Sequence, residues 1–371
     1  MEHYLDNAAT TRVCPEAAEA AVNVMTNLYG NPSSTHAKGR EAKKLLDSCR
    51  KTVADSLGAS SPDEIVFTSC GSESDNWAIL SGAELMRRKG AHIISSAVEH
   101  DAVRKSLAVL EKSGFEVSLL KPDSTGAVSE ESVLNALRED TVLISLMMVN
   151  NETGALTDIK KIFSSVRASG SAALLHTDAV QGFKKVPFSA KTLGADLISI
   201  SGHKIHAVKG IGALYIKSGT KLKPFIVGGS QEKERRAGTE AMPQIASFAA
   251  ACSLDPCTEH IAQIKRLAVE ELTGSIPELQ YLETPAPHIL SVSMPGWRSE
   301  VLMNFLEARE IYVSKSSACK QGKRSHVLEA IGMKNDVIDG ALRIGFSRYS
   351  TEEDVHALAK ALAEARKLSH R

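Results

Sequence analysis

Lys204 is the residue in this sequence whose surroundings most favour covalent chemistry. It lies in the segment SGHKIH, directly after the apolar run DLISIS, and Ser201 and His203 flank it. A lysine that is desolvated among polar partners loses its charge more readily and can form an imine with an aldehyde. For a single lysine, a surface position in a loop is the alternative interpretation. The polar neighbours and the glycine-rich return at Gly210 and Gly212 instead favour an amine in a cofactor cleft.

A second candidate, Asp178, ends the apolar run AALLHTD. A carboxylate there could hold a pyridine nitrogen protonated, which would make pyridoxal 5'-phosphate (PLP) an electron sink. Capping of the next helix is the alternative role. His100 and Asn151 also follow apolar runs; His100 could stack on the cofactor ring and move protons, and Asn151 could bind the ring hydroxyl. Since ligands bind beyond the carboxyl ends of strands in open α/β sheets, these side chains predict one shared site.

A phosphate site is predicted where the run EIVFTS passes through Gly71 into a helix that Ser72 opens, with Asp75 at the spacing of a capping box. Free N–H groups and the positive end of a helix attract phosphate, and the hydroxyl of Ser72 adds a donor. A plain N-cap is the alternative. The pair Gly210 and Gly212 does not predict a dinucleotide site, because the third glycine is missing and a strand follows.

The elements that must position these residues alternate between apolar runs and amphipathic stretches, a pattern typical of a mostly parallel sheet covered by helices. The predicted strands are 64–69, 91–97, 117–121, 141–149, 172–178, 196–202 and 212–217, and the predicted helices are 39–58, 73–89, 101–113, 129–138 and 158–169. Further helices are predicted at 258–273, 299–309, 325–333 and from 351. We therefore expect an α/β fold with a large domain at 14–252, containing a mostly parallel seven-stranded sheet, and a smaller α+β domain made of 1–13 and 253–371.

The composition argues against several classes of function. Lysine and arginine total 44, as do aspartate and glutamate, so no net field favours direct binding to nucleic acid or to a membrane. The six cysteines form no C-x-x-C pair and no Cys/His run of zinc-ligand spacing, so we expect neither a metal site nor a disulfide framework. The sequence has no recognisable secretory leader and no apolar run of about 18 residues. We expect a cytoplasmic protein with a small-molecule substrate.

Twelve motifs, in order along nearly the whole chain, carry a resemblance to a known family. They are YLDNAATT (4–11), GNPSSTH (30–36), FTSCGSESDN (67–76), EHDAV (99–103), VNNETG (149–154), HTDAVQ (176–181), SGHKI (201–205), KGIGALY (209–215), GGSQEKERRAGT (228–239), SSAC (316–319), SHVLEAIGM (325–333) and LRIGFSRYSTEED (342–354). The sequence resembles the cysteine desulfurases of the NifS/IscS type, within the class V aminotransferase family of fold-type I PLP enzymes.

The resemblance implies a set of cofactor contacts. It makes Lys204 the lysine that binds PLP as a Schiff base, with His100 stacked on the ring and Asp178 at the ring nitrogen. It also implies that Asn151 and Gln181 bind the ring hydroxyl. The phosphate would be bound by Gly71, Ser72, Ser201 and His203. Thr239 would reach the phosphate of the neighbouring subunit. A homodimer is therefore implied.

The resemblance also implies the substrate and the reaction. Arg343, with Asn31 assisting, would hold the carboxylate of L-cysteine, a bidentate task that suits a guanidinium. Lys204 would remove the α-proton, and His100 would relay protons. Cys319 would take the sulfur as a persulfide, release alanine and pass the sulfur to an acceptor protein, either an iron–sulfur scaffold or a thiolation enzyme. An inert, buried thiol is the alternative for any cysteine, but basic residues surround this one.

Alternative functions stay open at this point. A selenocysteine lyase, or another class V lyase or aminotransferase, would use the same cofactor residues. A non-catalytic partner in sulfur transfer could keep the fold, although the presence of Lys204, Asp178, Arg343 and Cys319 argues against it. The chain also departs from the family in places, since Val208 replaces a common proline and His206 a common aromatic residue.

Overall fold

The structure, a computed structural model, describes residues 1–316 and 324–369. The strands are β1 (His3–Tyr4), β2 (Ile65–Thr68), β3 (His92–Ser96), β4 (Glu116–Leu120), β5 (Thr141–Met147), β6 (Leu174–Asp178), β7 (Leu197–Ser201), β8 (Gly212–Ile216), β9 (Gln280–Tyr281), β10 (Ile289–Ser293), β11 (Ile311–Tyr312), β12 (Ser314–Lys315) and β13 (Ala341–Gly345). The helices are α1 (Pro15–Thr26), α2 (Ala37–Leu57), α3 (Gly71–Met86), α4 (Asp101–Lys112), α5 (Glu130–Ala136), α6 (Ile159–Ala168), α7 (Ala190–Leu193), α8 (Met242–Ser253), α9 (Thr258–Ser275), α10 (Ser299–Glu307), α11 (His326–Ala330), α12 (Asn335–Asp339) and α13 (Glu352–Ser369). Cys319, the predicted nucleophile, lies outside the described residues.

A seven-stranded sheet forms the centre of the larger part of the molecule. Its strand order is β2-β8-β7-β6-β5-β3-β4, and β8 runs opposite to the other six strands. The predicted mostly parallel, seven-stranded sheet is confirmed, and no strand end differs from its predicted position by more than two residues. The short apolar runs locate these strands well because every strand of this sheet except the edge strand β4 is buried on both faces.

Helices cover both faces of this sheet. On one face Trp77 of α3 and Leu107 of α4 pack in a single apolar cluster. On the other face Leu46 of α2, Phe163 of α6 and Phe248 of α8 belong to a second apolar cluster. Helices on both faces leave the ends of the strands as the place where a ligand can enter.

The start of α3 differs from the prediction. Ser72 and Asp75 do not form a capping box, because α3 begins at Gly71 and Cys70 takes the N-cap position in extended backbone, without a side-chain cap bond. Ser72 is therefore inside the first turn, where it is exposed. Asp75 is 1% exposed, so its carboxyl group lies in the interior instead of turning back to the helix start.

The C-terminal part has its own sheet and apolar core. Strands β12, β13, β10 and β9 form a four-stranded antiparallel sheet in that order. Leu290, Leu342 and Leu358 belong to the core against which α9, α10 and α13 pack. The start of the chain joins this part, since β1 pairs with β11 and Leu5 lies in the same core. The domain boundaries after residues 13 and 252 stay a prediction.

Candidate active site

A cavity of about 330 Å³ lies where several strands of the central sheet end. Because β3, β5, β6 and β7 are parallel, the residues that follow them meet at one edge of the sheet. Ten of the residues predicted from the sequence line this cavity: Gly71, Ser72, His100, Asn151, Asp178, Gln181, Ser201, His203, Lys204 and Arg343.

Lys204 ends the short 3₁₀ turn Gly202–Lys204 that follows β7. Its Nζ donates hydrogen bonds to the main-chain oxygens of Ala8, at 2.7 Å, and Ala9, at 2.6 Å. Burial, and next the positive charge of Arg343, lower the pKa of Lys204 to about 7. Much of this amine is therefore uncharged near neutral pH, as imine formation requires.

Three buried carboxyl groups lie in or behind the wall of the cavity. Burial raises the pKa of Asp178, while His100, the hydrogen bond from the main-chain N–H of Val180 and Lys204 act against that rise. Burial, and next the negative charge of Asp178, raise the pKa of Asp75 well above its ordinary value. Burial raises the pKa of Glu99 to about 8. Of the three, Asp178 is the one whose charged form is favoured by His100 and Lys204 when either carries a proton, and by the hydrogen bond of 2.9 Å that its Oδ1 accepts from the main-chain N–H of Val180.

The start of α3 forms another wall of the cavity. A Cβ atom at Gly71 would lie 2.7 Å from Cγ2 of Val180, so a larger residue here would require the side chain of Val180 to move. Ser201 Oγ is buried and has no hydrogen-bond partner in the described part of the chain. Burial lowers the pKa of His203 to about 4, so its ring is neutral at pH 7. The free N–H groups of the helix start and the unpartnered hydroxyl suit a phosphate group.

His100 lies between β3 and α4 and caps that helix. Its Nδ1 accepts a hydrogen bond from the main-chain N–H of Ala102, at 3.1 Å. An accepting Nδ1 carries no proton, so the ring proton of the neutral imidazole is on Nε2. His100 can therefore present an N–H group to the cavity that it lines.

Arg343 lies on β13 and is 2% exposed. Its Nη1 donates to the main-chain oxygen of Asn151 at 3.0 Å, and its Nη2 donates to Ser314 Oγ at 2.8 Å and to Asp6 Oδ1 at 3.2 Å. Its Nε has no hydrogen-bond partner among the described residues. A buried guanidinium with an unused N–H group can bind a carboxylate of the substrate.

Two predicted site residues do not line this cavity. Asn31 is exposed, and its side-chain oxygen accepts from the main-chain N–H of Ser33 at 2.9 Å. Thr239 is exposed as well. The segment before Thr239 is held by Glu232, whose carboxylate accepts two hydrogen bonds of 2.7 Å from Arg50. The roles of Asn31, Thr239 and Cys319 stay predictions.

Sequence reasoning missed several residues of the site. Asp6 belongs to the motif YLDNAATT, but nothing local indicated that it contacts Arg343. Glu99 precedes His100 in EHDAV, and its Oε1 accepts from the main-chain N–H of Met147 at 3.0 Å. The signal for Asp75 is its place two residues before the apolar run from Trp77 to Leu80, but its spacing from Ser72 predicts a cap instead.

The groups around the cavity fit PLP. An uncharged amine at Lys204 can bind the aldehyde, and the carboxylate of Asp178 can accept from a protonated ring nitrogen. The start of α3 and the unpartnered hydroxyl of Ser201 provide the donors that a phosphate needs. The described residues contain no group of three or more His, Cys, Asp or Glu side chains that could hold a metal ion.

The sheet order, the lysine after β7 and the cavity at the strand ends define a PLP-dependent transferase fold of type I. The family model described as aminotransferase class-V matches residues 3–358. A cysteine desulfurase IscS of Methanosarcina thermophila is 41% identical over 374 aligned positions, which cover 97% of this chain and 91% of that protein. The chain belongs to the class-V aminotransferase family.

Solved structures agree with this assignment. A NifS-like protein superposes with a TM-score of 0.93 and 36% identity, covering 99% of this chain and 100% of the other. The structure of SspA in complex with cysteine has a TM-score of 0.84 and 32% identity, covering 95% of this chain and 100% of the other. A NifS-like architecture therefore extends over nearly the whole chain.

Proposed function

We propose that this protein is a PLP-dependent cysteine desulfurase, which converts L-cysteine to L-alanine and keeps the sulfur on Cys319 as a persulfide. The observation that carries the proposal is the presence, in one cavity, of a half-buried amine with a lowered pKa at Lys204 and a buried guanidinium at Arg343. The amine can form an imine, and the guanidinium can hold an amino-acid carboxylate. The names of the relatives support this choice of substrate.

The chain's own residues would hold the cofactor from several sides. Lys204 would bind its aldehyde, Asp178 its ring nitrogen, and His100 would stack on the ring. The ring hydroxyl would be bound by Asn151 and Gln181, and the phosphate by Ser72, Ser201, His203 and the first N–H groups of α3, including that of Gly71. When bound, PLP supplies an electron sink that stabilises negative charge at the substrate Cα.

Four residues act on the amino acid. Arg343, with Asn31 assisting, binds the substrate carboxylate and so fixes the position of Cα. The Nζ of Lys204 removes the α-proton as a general base, a task that suits an amine with a pKa of about 7. His100, with its proton on Nε2, relays protons between the cavity and the substrate sulfur.

Cys319 then takes the sulfur. Its thiolate attacks the substrate sulfur, so an S–S bond forms while the C–S bond breaks, and the electron pair of that bond stays on carbon, which gains a proton. The balance is cysteine plus a thiol giving alanine plus a persulfide. Lys315 and Arg324 flank the segment that carries Cys319 and favour the thiolate, although their ion pairs with Glu300 and Asp339 weaken the effect. The persulfide would pass to an iron–sulfur scaffold or a thiolation enzyme.

We also propose a cytoplasmic homodimer. Phe225, Ile226 and Val227 are exposed, Val227 to 77%, just before the segment that ends at Thr239. A second subunit would cover these apolar side chains and receive Thr239 at its phosphate site. The cysteines that the structure describes are free thiols, as in a reducing compartment: Cys14, Cys49, Cys70, Cys252 and Cys257. No helix in the described ranges is long and apolar enough to cross a membrane.

The test is an incubation of the purified protein with PLP, L-cysteine and a thiol reductant, followed by measurement of alanine and sulfide. We expect the two products in equal amounts, and none from Lys204→Ala. L-selenocysteine and a pair of amino donor and oxo acid are run in parallel. A clear preference for either one, with no alanine from cysteine, would replace the proposal with a selenocysteine lyase or an aminotransferase.

A further inference from the structure

His288 lies directly before β10, outside the cavity wall, and is 1% exposed. Its Nε2 is 3.1 Å from Oε1 of Gln181, which lines the cavity. Its Nδ1 is buried and has no hydrogen-bond partner in residues 1–316 and 324–369. Buried polar atoms are usually hydrogen-bonded, so a histidine with one unpaired ring nitrogen is unusual. Its other ring nitrogen contacts a residue of the site, which suggests a functional role for His288.

The proton position on this ring follows from the hydrogen bonds around it. Gln181 Nε2 lies 2.8 Å from the main-chain oxygen of Ala8, which can only accept, so the amide nitrogen of Gln181 must face Ala8. Oε1 of Gln181 therefore faces His288, and since this oxygen also only accepts, Nε2 of His288 must donate. Burial, and next the positive charge of Lys185, lower the pKa of His288 well below its ordinary value. The ring is thus neutral, with its proton on Nε2.

The same chain of contacts reaches Lys204. The oxygen of Ala8 accepts from Gln181 Nε2 at 2.8 Å and from Lys204 Nζ at 2.7 Å. Without the donor at His288, Oε1 of Gln181 would be buried and unpaired, which costs free energy and favours rotation of the amide. A rotated amide would release Ala8 and change the orientation and hydrogen bonding of the Lys204 amine.

We propose that His288 is a positioning residue for the active site: by donating to Gln181, it fixes the amide that lines the cavity and, through the oxygen of Ala8, the amine of Lys204. The inference rests on the proposed function only in naming PLP as the group that Gln181 and Lys204 meet. His288 itself touches neither substrate nor cofactor.

The experiment compares His288→Leu and His288→Gln with His92→Leu in the PLP-loaded enzyme. Leucine keeps an apolar volume without a donor, and glutamine can place an N–H near the position of Nε2. His92 is the matched control, because it is also fully buried and bonded through both ring nitrogens, to Thr141 and Ser118, but does not line the cavity. The readouts are the pH titration of the long-wavelength absorbance of bound PLP and kcat/KM for alanine formation.

We expect His288→Leu to move the midpoint of that titration by roughly half a pH unit or more and to lower kcat/KM about tenfold, the scale of one lost buried hydrogen bond. His288→Gln should recover most of both values, and His92→Leu should leave both unchanged. An unshifted titration in His288→Leu, no recovery in His288→Gln, or an equal shift in His92→Leu would overturn the inference.

A second measurement does not depend on turnover. Nitrogen NMR of the protein labelled at histidine should show His288 as a neutral ring protonated on Nε2 at pH 7, and a proton on Nδ1 would contradict the argument. If the wild-type protein neither binds PLP nor forms alanine, the proposed function is wrong. The NMR measurement would still show which nitrogen of His288 carries the proton. If the wild type is active and His288→Leu behaves like it, only the inference fails.

Discussion

Nη2 of Arg343 lies 3.2 Å from Oδ1 of Asp6, and the two residues are brought together by the bridge between Asp6 and Gly345 at the end of β13. Ser314 on the neighbouring strand β12 bonds to both side chains. The carboxylate and the hydroxyl thus hold one end of a guanidinium that is 2% exposed. Arg343 is held in place before a substrate arrives, so its binding to an anion requires little loss of side-chain freedom.

Arg343→Ala should raise the KM for cysteine by about one to two orders of magnitude, the size expected for a lost charge-assisted pair. PLP should stay bound, since Arg343 is not needed for the cofactor. Asp6→Asn should raise KM less, because the guanidinium loses its ionic partner and keeps Ser314 and Asn151. Steady-state alanine formation and the absorbance of bound PLP measure the two effects. Equal KM values in all three proteins would remove Arg343 from the substrate site.

Lys204→Ala should abolish covalent attachment of PLP. Borohydride reduction of the loaded enzyme, followed by peptide mass analysis, should locate the cofactor on Lys204 in the wild type and on no peptide in the variant. Lys185→Ala is the matched control, because burial also lowers the pKa of Lys185, to about 8, and Lys185 does not line the cavity. Attachment that persists in Lys204→Ala and is lost in Lys185→Ala would reverse the assignment.

Glu99→Gln should change how stability depends on pH. The pKa of Glu99 is about 8 in the folded state and about 4.3 in an unfolded chain, so between these values only the folded state keeps the proton. The free energy of unfolding of the wild type therefore falls as pH rises from about 4.3 to 8 and is level above that range. The glutamine has no proton to lose, so the variant should gain a few kcal/mol relative to the wild type between pH 5 and pH 8.

Urea unfolding at pH 5 and pH 8 measures this difference. Glu116→Gln is a suitable control, because Glu116 is an exposed acid on β4 that pairs with Arg138 at 2.6 Å. Parallel pH profiles for the wild type and Glu99→Gln would show that Glu99 is ionised in the folded protein.

Cys319→Ala should stop the release of alanine and sulfide but leave the absorbance of bound PLP responsive to cysteine, because sulfur transfer follows the cofactor chemistry. Treatment of the wild type with stoichiometric cysteine, without reductant, should add the mass of one sulfur atom to the peptide that contains Cys319. Cys70 is the competing thiol, since it lines the cavity and is only partly buried. Cys70→Ala should therefore still form the persulfide, and sulfur found on Cys70 in the wild type would exclude the mechanism.

The central sheet and eight of the ten predicted residues that line the cavity could be predicted from local pattern in the sequence. Buried parallel strands are apolar on both faces, so each appears as a short hydrophobic run, and parallel strands end at one edge. A polar residue directly after such a run, as His100 and Asp178 are, must therefore lie at that edge. The motif resemblance added Arg343, Gln181 and Cys319, which no local pattern identifies.

The pairs that position these side chains were decided by the tertiary structure. Asp6 with Arg343, and His288 with Gln181, join residues more than a hundred positions apart, and no spacing along the chain reports that they touch. Asp75 shows the same limit at short range: its spacing from Ser72 predicted a helix cap, but α3 begins at Gly71 and packs that carboxyl group inside. Local sequence determines which elements form, whereas the burial, charge and proton position of a side chain depend on what the fold packs against it.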